Sequence, residues 1–158
     1  HPVTTGWWGP IEFLLFCVCR RPSAGFGGLR LDRLDNGTCV TSRPGGWRAQ
    51  SPFKAMYWAV QGMGAELATG APPFAMSRSM PERLRRFGVG TEAKLVKRAK
   101  VRITFTGDEV SASREAIERS RDSGESVDCD LGSIGRDSSG DVVSEWVFKW
   151  NFLVMEKR

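Results

Sequence analysis

The sequence predicts an α+β domain, a curved antiparallel sheet wrapped around one long enclosed helix. Three observations predict it. Residues 52–70 read as a helix that is apolar nearly all round, with Lys54, Gln61 and Glu66 as its only strongly polar side chains, so it must be wrapped on most sides. Two tight-turn signals, Asp35-Asn36-Gly37 and Asp137-Ser138-Ser139-Gly140, each lie between runs that alternate with period two. The length of 158 residues suits one compact domain that needs no disulfide or metal staple.

The elements follow in order. The apolar run 11–19 is far shorter than the ~20 residues that cross a membrane, and it lacks a basic leader and a cleavage site. It is expected to be a short helix docked on the domain, within an N-terminal segment 1–25 ahead of a domain 26–158. The chain starts with His rather than Met, which leaves the native N-terminus open. Leu29–Leu34 and Thr38–Arg43 form the first hairpin, and Asn36-Gly37-Thr38 is its turn rather than a glycan acceptor. Ser51 is a suitable N-cap with Pro52 at the first helical position, and Gly70 with Pro72-Pro73 is a strong stop. Within the helix Ala55, Ala59, Gly62, Gly64, Ala65 and Ala68 are small enough for a sheet to approach closely. Residues 85–95 read as a strand kinked at Gly88-Val89-Gly90. Val101, Ile103 and Phe105 then share one strand face, and 109–122 is a weakly amphipathic helix with Ala112, Ala116 and Ile117 inward. The second hairpin pairs 127–131 with a long strand 142–155, whose Trp146, Phe148, Trp150, Phe152 and Val154 share a face.

Composition narrows the chemistry. The single histidine is residue 1, which sets aside Ser-His-Asp and Cys-His catalysis and histidine-containing zinc sites within the domain. Cys17, Cys19, Cys39 and Cys129 match no zinc or redox spacing and are expected to be reduced thiols in a cytoplasmic protein. The net charge of +5 favours an anionic partner. It is unevenly spread: 1–50 carry 6 basic and 3 acidic groups, 51–107 carry 10 and 3, and 108–158 carry 7 and 12.

Several segments together resemble the thioesterase-like branch of the hotdog superfamily. They are Gly27-Gly28-Leu29-Arg30, Trp47-Arg48 through Phe53-Lys54, Met56-Tyr57 through Gly70, Lys97-Arg98-Ala99 ahead of Val101–Thr106, and the strand from Asp141 to Glu145. The resemblance covers roughly residues 27–155. It implies the hotdog fold, homodimers or dimers of dimers whose sheets join edge to edge, and acyl-CoA thioester sites between protomers. No separate cofactor is implied, since coenzyme A is part of the substrate.

In that family backbone N–H groups at the helix start polarise the thioester oxygen. Placed on the helix expected here, they are those of Phe53 and Lys54. Ser51 stands where the family favours Asn, and Tyr57 lines the substrate. The family's carboxylate position falls on Gln61. An amide is no general base. Glu66 is the nearest carboxylate, five residues on and about 140° round the helix, so it faces away from the stripe that Lys54, Tyr57 and Gln61 would share. Gln61 and Glu66 are therefore the catalytic candidates, with Glu66 serving from the opposite side, toward the partner protomer. Arg85, Arg86, Lys97 and Arg98 are candidates for the coenzyme A phosphates. The alternatives are a non-catalytic acyl-CoA-binding dimer and, more distantly, a nucleic-acid binder. The stretch 83–102 holds only Phe87 as a stacking platform, so no nucleic-acid partner is expected, and no membrane partner.

Overall fold

The computed structural model describes residues 19–156. The short helix expected over 11–19 lies almost entirely outside them. A one-and-a-half-turn helix α1 (Pro22–Phe26) leads into β1 (Arg30–Leu34) and β2 (Cys39–Arg43). A 3-10 turn at Trp47–Ala49 precedes the central helix α2 (Trp58–Ser79). Then come β3 (Arg83–Leu95), β4 (Ile103–Gly107), α3 (Val110–Ser123), β5 (Val127–Arg136) and β6 (Val142–Met155). The strands form one sheet in the order β1-β2-β4-β5-β6-β3, and every pairing is antiparallel. Both hairpins stand where their turn residues placed them. The first turn is closed by the Asp35 carboxylate, which accepts from the N–H groups of Gly37 and Thr38 at 2.9 and 2.8 Å. The Gly88-Val89-Gly90 kink is a bulge in the β3–β6 ladder, as glycines in a strand interior suggest.

The core lies between α2 and the inner face of the sheet. Ile103 and Phe105 of β4, Leu131 of β5, and Trp146, Phe148, Trp150 and Phe152 of β6 are all buried there. Val101 departs from the expected strand face: it lies before β4 and is exposed. The helix glycines allow the close approach. A Cβ on Gly64 would lie 2.5 Å from the Phe105 ring, and Thr41 Oγ1 donates to the Gly64 carbonyl at 2.8 Å. Trp150 Nε1 donates to Thr69 Oγ1 at 3.1 Å, satisfying the one polar atom of a buried indole. Helix α3 covers the next part of the sheet through Val110, Ala116 and Ile117. No helix of the described residues is long and apolar enough to cross a membrane.

The central helix differs from expectation at both ends. It begins at Trp58 rather than Pro52, and Tyr57, not Ser51, is its N-cap. Residues 50–56 instead fold back on themselves. Gln50 bridges to Met56, the Ser51 N–H donates to the Ala55 carbonyl at 2.7 Å, and Lys54 takes a left-handed φ of 56°. The Met56 N–H donates to the Ala99 carbonyl at 2.7 Å, so this segment is tied to the chain entering β4 and is not free to wind. At the other end Pro72 and Pro73 lie inside the helix, which runs on to Ser79. Each proline removes an intrahelical bond at a cost of about 3 kcal/mol. Burial of Ala71 and Ala75 against Leu34, Cys39 and Val110 offsets it. Tertiary packing has overridden the local stop signal.

Candidate functional site

The late start of α2 relocates the donors expected at Phe53 and Lys54. Both residues precede the helix, and the Lys54 N–H is spent on the Ser51 carbonyl at 3.0 Å. The stripe expected to join Lys54 to Tyr57 and Gln61 therefore does not exist. At the actual start the N–H groups of Val60 and Gln61 both donate to the Tyr57 carbonyl, at 3.0 and 3.2 Å. Those of Trp58 and Ala59 have no intrahelical acceptor. Tyr57 makes no side-chain cap, so among the described residues no side chain closes the helix end. A 22-residue helix thus presents two open donors and the positive end of its dipole between two half-exposed rings, Tyr57 and Trp58, whose centroids are 5.9 Å apart.

The two catalytic candidates lie on different faces, as their spacing requires. Gln61 is buried against the sheet; its amide donates to the Met56 carbonyl at 3.4 Å, and its Oε1 has no partner. Glu66 is half-exposed on the outer face, 3.7 Å from the Arg21 guanidinium. That contact is long and solvated, so it is a weak tether. Among the described residues no cluster of His, Cys, Asp or Glu could hold a metal ion.

The four basic candidates do not converge. Arg86 stacks on the Phe74 ring at 4.5 Å and donates to Ser77 Oγ at 3.1 Å. Ser77 is about 28 Å along α2 from Trp58 by helical rise. Burial, with Arg21 nearby, lowers the Arg86 pKa from its usual value. Arg85, on β3 opposite Leu153, is exposed. Lys97 and Arg98 do lie near the helix start, because Ala99 bonds Met56. Lys97 is already held by Asp137 and Asp141 at 2.8 and 2.7 Å, bonds that raise its pKa above the usual lysine value. Arg98 remains exposed beside them.

Sequence reasoning missed the Trp58 and Ala59 donors, because no local residue marks a helix start at Tyr57. The sequence suggests an arginine partner for Glu66 without saying which; it is Arg21, 45 residues away in the chain.

No family model matches the chain, and no curated protein sequence matches it. Solved structures do share its architecture. A protein of unknown function from Chlorobaculum tepidum superposes with a TM-score of 0.75 at 11% identity, over 91% of this chain and 96% of that one. A mutant thioesterase from Pseudomonas aeruginosa gives 0.68 at 11%, over 95% and 98%. A thioesterase from Haemophilus influenzae gives 0.67 at 10%, over 96% and 94%. Identities this low speak for architecture alone, and with the six-stranded antiparallel sheet around α2 they establish that the chain has the hotdog fold that these thioesterases share.

Proposed function

We propose that the protein hydrolyses an acyl-CoA-type thioester at a site shared between two protomers. The observation that carries this reading is the open start of α2, with Glu66 further along the same helix. Glu66 is eight residues past Trp58, about 12 Å by rise. Donors and base must each come within about 3 Å of one carbonyl group or its attacking water. A single protomer cannot supply both, but two antiparallel helices can, the donors from one and Glu66 from the other. The edge strand β3 offers the joint. Its outer edge is unpaired among the described residues, and Phe87, Val89 and Leu95 are exposed along it. An open edge of 13 residues with apolar side chains invites a second copy.

In the reaction the Glu66 carboxylate takes a proton from water as the water oxygen attacks the thioester carbon. The N–H groups of Trp58 and Ala59 hold the tetrahedral oxyanion. Its collapse breaks the carbon–sulfur bond, releasing the acid and the coenzyme A thiolate, which takes up a proton. Arg98, near the helix start, is the best-placed of the basic candidates for a coenzyme A phosphate.

A second reading, a dimer that binds acyl-CoA without cleaving it, is favoured by Gln61. It is a buried amide at the position where the family resemblance, read on a helix starting at Pro52, calls for a carboxylate. Hydrolysis of an acyl-CoA panel by wild type, Glu66→Gln and Gln61→Ala separates the two. Hydrolysis that falls roughly 10²–10⁴-fold in Glu66→Gln supports the enzyme. Saturable binding with no cleavage above background leaves the binding dimer.

A further inference from the structure

We infer that the end of the molecule carrying Trp47 and Phe53 docks on an anionic lipid surface. Three segments meet there. The Phe26 ring packs edge-on against Trp47 at 6.0 Å, and Arg48 Nη1 donates to the Phe26 carbonyl at 3.1 Å. A Cβ on Gly45 would lie 2.7 Å from the Lys100 carbonyl, and Met56 is bonded to Ala99. Trp47 and Phe53 are 77% and 78% exposed, on a 3-10 turn and on the fold-back 50–56, and Phe26 and Val101 beside them are also exposed. Large aromatics this open on adjoining turns are costly in water unless something covers them.

Charge identifies the cover. The cations carried with these aromatics are Arg48, Lys54 and Lys100, all exposed, and the stretches 43–56 and 99–102 that hold them contain no Asp or Glu. Acids do reach neighbouring segments: Asp137 and Asp141 hold Lys97, Asp35 closes the turn at Gly37 and Thr38, Glu145 stands opposite Lys94, and Glu66 lies 3.7 Å from Arg21. Among the described residues none forms an ion pair with Arg48, Lys54 or Lys100. Tryptophan and phenylalanine set among unopposed lysines and arginines match the interface of an anionic bilayer, where rings enter the headgroup layer and cations meet lipid charge. This departs from the expectation of no membrane partner. A peripheral contact needs no spanning segment, and it stands independently of the thioester reading because it requires no bond to be cleaved.

The test is co-sedimentation of the full chain with vesicles of phosphatidylcholine alone or with added phosphatidylserine. Wild type is expected to bind only the anionic vesicles, and less tightly as salt rises. Trp47→Ala with Phe53→Ala is expected to abolish binding. Arg48→Gln with Lys54→Gln is expected to weaken it roughly 25-fold, about fivefold per cation. All four side chains are exposed, and an unchanged thermal melt verifies the fold of each variant. No preference for anionic vesicles, or binding that survives both double variants, overturns the inference. So does tight single-stranded RNA binding without vesicle binding, or a solution dimer that the aromatic pair of substitutions splits into monomers.

Discussion

Gly64→Ala puts the helix–sheet contact to a quantitative test. Alanine is the better helix former by roughly 0.8–1 kcal/mol, so on an exposed helix face the change would stabilise. Here the new methyl would lie 2.5 and 2.6 Å from two carbons of the Phe105 ring. The ring has nowhere to retreat. Phe105 is fully buried, and on its other side a Cβ on Gly135 would lie 2.9 Å from Phe105 Cε1, so the sheet backbone closes in there as well. The helix cannot lift freely either, because the Gly64 carbonyl is held by Thr41 Oγ1. Overpacking of this kind costs about 1–3 kcal/mol. Set against the propensity gain, the net runs from near zero to about 2 kcal/mol of destabilisation, or up to roughly 8 °C in Tm for a chain of this size. Gly62→Ala is the internal control. Its Cβ would meet only the outer edge of the Trp146 ring, at 3.3 Å, so the propensity gain should survive in large part. Paired thermal melts should place Gly64→Ala clearly below Gly62→Ala. If Gly64→Ala melts at or above Gly62→Ala, the close approach of α2 to Phe105 is wrong.

Other outcomes follow from the same contacts. Burial pushes the Cys39 thiol up to about 12, and burial also raises Cys129, so peptide mapping after brief thiol labelling at pH 8 should find Cys19 modified and Cys39 untouched until the chain is unfolded. The Asp137 pKa is lowered chiefly by its bond to Lys97, and that of Lys97 is raised by Asp137 and Asp141. The aspartate contribution is therefore present above its ordinary value of 3.8 and lost as pH falls through its folded value. The lysine contribution is present below 10.5 and lost as pH rises through its folded value. Lys97→Met should accordingly narrow the difference in melting temperature between pH 7 and pH 3, and an unchanged difference would show that the bonds carry no stability. Phe87→Asp with Val89→Asp should give monomers by light scattering if β3 joins two copies, because burying two charges at a shared edge is costly.

The strands were readable because a sheet with one buried face imposes alternation on every strand. Trp146 through Phe152 and the Gly88–Gly90 bulge carried their positions in the sequence. The angular relation of Gln61 to Glu66 was readable too, since 100° per residue holds wherever a helix begins. Its ends were not. Ser51-Pro52 and Pro72-Pro73 are sound local signals, yet the first yields to the Met56–Ala99 bond and the second to packing of Ala71 and Ala75, contacts made by residues distant in sequence.

That displacement has a chemical consequence. Moving the helix start by six residues takes the open N–H groups from Phe53 and Lys54 to Trp58 and Ala59, beside the Tyr57 ring. It also releases the residues left behind. Inside a helix from Pro52, the ring of Phe53 would pack as part of an enclosed element; on the fold-back it stands 78% exposed next to a lysine with left-handed backbone. One local structural choice thus assembles the donor pair and creates the aromatic surface. The two can be separated by experiment: Phe53→Ala should weaken vesicle binding and leave thioester turnover in solution unchanged, whereas Glu66→Gln should do the reverse. If Phe53→Ala reduces turnover of a soluble short-chain thioester as strongly as Glu66→Gln does, the segment 50–56 belongs to the substrate site and the division drawn between them fails.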